Sequence, residues 1–186
     1  IANCIKELNY NRRMNTDEKD NNMNIEQKLL KLGIKLPSAA SPAANYETSI
    51  ITDLDYGINS NNRKLMFISG HVAKDENGNI ISPGKVPNNV SVEEAYQAAK
   101  LTAINCLATI KTKIGSLDKI EQFLKVTCFI NATDDFLEHP KVANGCSDFL
   151  VELFGDRGRH TRSAVGAVSL PMDTSVEIEM ILLVNL

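Results

Sequence analysis

The spacing of hydrophobic residues in this chain changes in a set order, and that order restricts the fold more than any other feature. Strand-like alternation gives way to helical spacing, returns, gives way again and returns once more. The first helical stretch is announced by Ser91 followed by Glu94, a capping box. Val92, Ala95, Tyr96, Ala99, Ala103, Cys106, Leu107 and Ile110 then recur on one face, and Gly115 ends it. The second runs from about Lys141 to Phe154 and stops at Gly155. Between them, Ile120–Ile130 reads as a strand, followed by a loop over residues 131–140. Ahead of the first helix, Tyr46–Leu54 and Lys64–Val72 read as strands. Asn77-Gly78 reads as a hairpin turn with a short return strand over Asn79–Ser82. The chain closes with strands over Ser163–Ser169 and Ser175–Val184, joined by the turn Leu170–Asp173. This order predicts an α+β fold, a sheet with two long helices on one face. The other face must then be buried elsewhere, and oligomerisation is the simplest way.

Residues 1–23 are rich in Asn, Asp, Lys and Arg and are expected to be a polar, flexible extension with a short helix near Cys4–Leu8. Residues 24–186 are expected to form a single domain. It opens with an amphipathic helix around Ile25–Leu32, stopped by Gly33 and followed by a Pro/Ser/Ala-rich connector over 36–45. A chain of 186 residues buries a substantial core without disulfides or metal. Cys4, Cys106, Cys128 and Cys146 show neither a C-x-x-C pair nor zinc-ligand spacing to a histidine, and read as buried free thiols in a reducing compartment. A net charge of −3 supplies no basic face for general nucleic-acid binding. No apolar run is long enough to span a bilayer, and the first residues lack the apolar centre of a secretory signal. The cytoplasm is the expected compartment. Ile1 rather than Met opens the chain, so organellar targeting by a removed presequence stays open.

Chemistry-bearing residues gather in three places. In the last strand, Val176, Ile178, Met180, Leu182 and Val184 fall on one face. Glu177 and Glu179 fall on the other with Ile181 and Leu183. A carboxylate among apolar neighbours can have its pKa raised and serve as an acid or base, whereas a solvent-facing or arginine-paired one does neither. The run Arg157, Arg159, His160, Arg162 precedes an apolar strand. The first two arginines read as a charged surface loop, while Arg162 can offer a bidentate fork to a small carboxylate. Ser69-Gly70-His71 ends a strand, where glycine allows backbone to approach a ligand and where a simple bulge would look the same. His71, His139 and His160 have no metal-ligand spacing, and no phosphate loop or nucleophile elbow occurs.

Taken together, FISGHV (67–72), CFINATDDF (128–136) and RSAVGAVSLPMDTSVEIEMI (162–181) resemble the YjgF/YER057c/UK114 (RidA-like) family in order and spacing over about Ile25–Leu186. The N-terminal helix, the longer first loop and HPKVANGCSDFLVELFG (139–155) are more similar to a longer subgroup, the endoribonuclease L-PSP type, than to the compact imine deaminases. The resemblance implies a chorismate-mutase-like fold, a homotrimer, and sites in clefts between subunits. It also implies hydrolysis of reactive 2-imino acids or their enamine tautomers to 2-keto acids and ammonia, without metal or cofactor. It assigns Arg162 to clamp the substrate carboxylate and Glu177 to position or activate water. Ser69 and Gly70 line the pocket, Asn144 joins them from the start of the second helix, and Tyr46 from near the N-terminus. Where the imine deaminases carry a cysteine two residues after the arginine, this chain has Ala164.

Imine hydrolysis needs a carboxylate anchor, a positioned water and a proton shuttle, and holding these together lowers the entropic barrier. Arg162 and Glu177 offer the first and last, and the short turn between the final two strands suggests that those strands are neighbours. The leading expectation is therefore an imine-deaminase-like hydrolase acting on a small carboxylate. A second is a module that binds a small acid or a protein without chemistry, favoured by Ala164. A third is an endoribonuclease or translation inhibitor, supported only by the basic run and opposed by the net charge.

Overall fold

The structure is a computed structural model and describes residues 23–42, 44–53 and 62–186. The expected helix near Cys4–Leu8 and the end of the first strand at Leu54 lie outside them. The chain divides into two compact units, 1–35 and 36–186. In the first, Asn24 caps a seven-residue helix α1 (Ile25–Lys31), its side chain accepting from Gln27 N while the Gln27 side chain accepts from Asn24 N.

The second unit is an α+β domain built on a five-stranded sheet in the order β1-β2-β5-β3-β4. The strands are β1 (Ser49–Asp53), β2 (Arg63–Val72), β3 (Ile120–Asn131), β4 (Thr161–Ala167) and β5 (Val176–Asn185). All neighbours are antiparallel except β3 and β4, which run parallel. Helices α2 (Val92–Ile114) and α3 (His139–Phe154) pack against each other and against the sheet. Ser91 and Glu94 form the expected capping box at the start of α2, and Gly115 ends it at φ +85°. Helix α3, the second long one, begins at His139 rather than about Lys141. Pro140 falls in its first turn, where a missing N–H costs nothing.

Alternation on β5 sends Val176, Ile178, Met180, Leu182 and Val184 into the core. They meet Met66 and Ile68 of β2 and Phe123, Val126, Cys128 and Ile130 of β3, all buried. The opposite face carries exposed apolar side chains. Ile50, Phe67 and Val165 are 56%, 41% and 43% exposed, on the same face as Ile181, Phe129 and Glu177.

Three expectations are corrected. Asn79–Ser82 forms no return strand; Gly78 takes a positive φ, but the turn closes with a single antiparallel bridge, Lys74 to Ile80. The Asp75 carboxylate accepts from Asn77 N, Asn79 N and Asn79 Nδ2, while the Asp75 carbonyl accepts from Gly78 N. Strand β4 begins at Thr161, which brings Arg162 inside the sheet. Finally, β4 and β5 are not neighbours, because β3 lies between them.

Candidate active site

The predicted site residues separate into two groups on opposite faces of the sheet. One row across the sheet runs Ile68, Met180, Val126, Arg162, and the buried members place it on the helix-covered face. Another runs Val72, Glu177, Phe129, Val165, on the opposite face. The expected single pocket holding both Arg162 and Glu177 is therefore not formed within one chain. Adjacent strands alone would not have sufficed, because Arg162 and Glu177 also differ in strand parity.

Arg162 lies on the edge strand, half-buried beneath α3. Its Nη1 donates to Asn144 Oδ1 at 2.9 Å and to Ser147 Oγ at 3.0 Å. Among the described residues it has no carboxylate within salt-bridge distance. Two glycines let this cluster assemble. A Cβ on Gly145 would overlap the Tyr96 carbonyl, so α3 crosses α2 closely only because that position is glycine. A Cβ on Gly158 would overlap the Leu150 carbonyl, so the 3-10 turn Gly155–Gly158 can tuck against α3 before the chain enters β4. That turn delivers His160, whose Nδ1 lies 2.6 Å from Gly158 O and whose Nε2 lies 3.0 Å from Ser147 Oγ. Partial burial keeps its pKa below the usual histidine value; the Gly158 carbonyl pulls it up, and the nearby Arg162 charge adds a smaller downward push. Ala164 lies on the same side of β4, opposite Cys128. Burial pushes the Cys128 thiol up to about 12, so Cys128 does not replace a reactive cysteine there.

Glu177 faces a cavity of about 590 Å³ whose walls include Tyr46, Gly70, His71, Asn105 and Met172. Here β2 bulges between Ile68 and His71, and a Cβ on Gly70 would overlap Glu177 Oε1. The half-buried carboxyl has its pKa raised, first by desolvation and then by Glu179. Ser69 stands beside this cavity with its Oγ donating to Glu47 O at 2.6 Å. His71 is buried, with Nδ1 2.7 Å from Ser69 O and Nε2 2.8 Å from Thr109 Oγ1, the pattern of a satisfied core histidine. Asn105 donates to Val72 O and Lys74 O, and its Oδ1 has no partner among the described residues.

The charged loop resolves into different parts. Arg157 is structural, donating to Asp118 O and Ile120 O and lying over the Phe154 ring. Arg159 makes an exposed ion pair with Asp156. The pairing of Ser147 with His160 was missed. Its only signal in the sequence was a histidine two residues before the arginine, and nothing linked it to a serine thirteen positions earlier. Among the described residues no group of three His, Cys, Asp or Glu side chains could hold a metal ion, and no helix is long and apolar enough to cross a membrane.

An edge-strand arginine held by a helix asparagine, a Ser-Gly bulge and a V-E-I-E strand, on this sheet order, define a chorismate-mutase-like α+β protein. Residues 26–183 match the family model described as "YjgF/chorismate mutase-like, putative endoribonuclease", and the chain belongs to that family. It is 32% identical to Protein TCP17 of Trypanosoma cruzi over 84% of this chain and 92% of that one. Among solved structures it is similar to Atu1372, a protein of unknown function from Agrobacterium tumefaciens. The identity is 35%, covering 87% of this chain and 92% of that one, with a TM-score of 0.75. A structure titled a putative endoribonuclease from Shewanella oneidensis MR-1 gives 27% identity, 86% and 99% coverage, and a TM-score of 0.77.

Proposed function

We propose that this protein hydrolyses reactive 2-imino acids and their enamine tautomers to 2-keto acids and ammonia. Arg162 anchors the substrate carboxylate and Glu177 assists the attacking water. The observation that carries the reading is the Arg162 guanidinium. It is half-buried, oriented by Asn144 and Ser147, and has no carboxylate partner among the described residues. A cation held in that way is matched to a small anionic ligand. Glu177 supports the reading from the other side, because a carboxyl with a raised pKa takes and returns protons more readily near neutrality.

Since one chain separates these groups onto opposite faces, the complete site forms between copies, with Arg162 from one and Glu177 from the next. The exposed Ile50, Phe67 and Val165 on the face that bears Glu177 suit such an assembly, and a homotrimer is the form proposed. The test is imine decay. A dehydratase or amino-acid oxidase generates 2-iminopropanoate and 2-iminobutanoate in the presence of wild type or Arg162→Ala. Acceleration by wild type alone is expected. Equal acceleration by both contradicts the assignment.

A second reading is binding without turnover, favoured by Ala164 standing where the imine deaminases carry cysteine. Tight binding of 2-keto acids with imine decay at its background rate would select it. RNA cleavage that follows the protein through chromatography would select an endoribonuclease instead.

A further inference from the structure

The Ser147–His160 pair is a connected chain of proton-carrying groups. A carbonyl oxygen can only accept, so the contact with Gly158 O fixes the His160 proton on Nδ1. His160 Nε2 then presents a lone pair, and the Ser147 hydroxyl donates to it. The same hydroxyl oxygen accepts from Arg162 Nη1. Ser147 is thus turned with its proton toward a base and its oxygen against the anchor. It is half-buried, as are His160 and Arg162, so none of the three is sealed in the core. His71 offers the contrast. It makes the same two kinds of hydrogen bond, but to Thr109 in the interior, where both groups are buried. One serves packing; the other borders a cation with no carboxylate partner among the described residues.

We propose that Ser147 and His160 are the proton relay of the Arg162 site, with Ser147 touching the reacting group and His160 acting through it. The proposal rests on the imine-hydrolysis reading. With the carboxylate on Arg162, the reacting carbon is the one bonded to that carboxylate, next to Ser147. Water adds to the iminium carbon as Glu177 of the neighbouring copy takes its proton, leaving a carbinolamine. Glu177 then returns that proton to the amine nitrogen. The C–N bond breaks with its electron pair leaving on ammonia. The carbinol O–H proton passes to Ser147 Oγ as the Ser147 proton passes to His160 Nε2, and the C=O bond forms. Iminium and water become keto acid, ammonia and one proton, which His160 releases to solvent.

The test measures kcat and KM for 2-iminobutanoate with the whole chain as wild type, Ser147→Ala, Ser147→Thr and His160→Gln, each checked for folding by thermal unfolding. Loss of the relay should lower kcat roughly 100-fold or more in Ser147→Ala and His160→Gln with KM nearly constant. Ser147→Thr, which restores a hydroxyl, should recover much of it. Unchanged kcat in both, or a parallel loss of kcat and KM that the threonine does not rescue, overturns the relay. A second readout separates this from failure of the parent reading. If wild type does not accelerate imine decay, the hydrolase reading falls. The relay then stands, for another keto-acid reaction, only if added 2-oxobutanoate displaces the His160 ring resonances in NMR spectra of wild type but not of Arg162→Ala. No displacement overturns it.

Discussion

The Arg162 cluster and the Glu177 cavity are built by the same device and arrive at opposite chemistry. In each, glycines remove a side chain at the one place where another group must come close: Gly145 and Gly158 behind Arg162, Gly70 beside Glu177. One ends in a cation lacking a counter-ion among the described residues, under a helix, on an edge strand. The other ends in a partly desolvated carboxyl beside a roomy cavity at the bulged end of β2, which Asn105 of α2 also lines. A structural ion pair would have brought these charges together. Here they stand on opposite faces, and neither neutralises the other.

The comparison breaks first at the charges themselves. Arg162→Ala should lower kcat/KM for an imino acid by about 100-fold or more and raise KM, since the anchor holds ground state and transition state alike. Glu177→Gln should lower kcat by a similar factor with little change in KM. Steady-state kinetics on the two variants checks the split, and matching profiles would mean the regions do not have separate roles.

The glycines sharpen it. Gly145→Ala directs a methyl into the Tyr96 carbonyl, which is backbone and cannot swing away. It should cost about 1–3 kcal/mol and lower Tm by several degrees, with loss of keto-acid binding. Gly70→Ala meets the end of the Glu177 side chain, which can rotate aside. It should cost less stability, leave keto-acid binding intact, and lower kcat about 10-fold or more. Calorimetry and ligand titration on both variants would show whether each glycine serves only its own region.

The smallest effect is in the pH dependence of stability. Burial holds the His71 pKa below the ordinary histidine value of 6.5, so the unfolded chain binds a proton the folded chain refuses. That contribution is full above 6.5 and is lost as pH falls from there through the lowered folded value. Glu177 works the other way: its folded pKa is raised above the ordinary 4.5, so stability declines as pH rises through that region. Thermal unfolding against pH should show a His71→Gln variant with a shallower loss on acidification below 6.5 than wild type. An unchanged slope would mean that His71 is not held neutral by its burial.

Much of the fold was legible. The capping box at Ser91, the stop at Gly115 and the inward row on β5 are local signals, and local chemistry decided them. Across strands the sequence was silent in two ways. A short connection makes β4 and β5 look like neighbours, yet β3 inserts between them, because adjacency of consecutive strands is only a tendency. Alternation gives the relative face of Glu177 and Ile178 within a strand, but the faces of Arg162 and Glu177 depend on register through β3, which no local pattern records. The Ser147–His160 contact was hidden for a related reason: it depends on Gly158 letting a turn close against α3.

The most direct test of the central claim is complementation. Arg162→Ala and Glu177→Gln chains, each inactive alone, would be co-expressed and purified as mixed assemblies, and imine hydrolysis measured. If Arg162 of one copy works with Glu177 of the next, interfaces that pair the two intact residues recover activity, up to roughly a quarter of wild type by random association. A mixture as inactive as either variant, with mixing verified by mass, would contradict a site shared between copies.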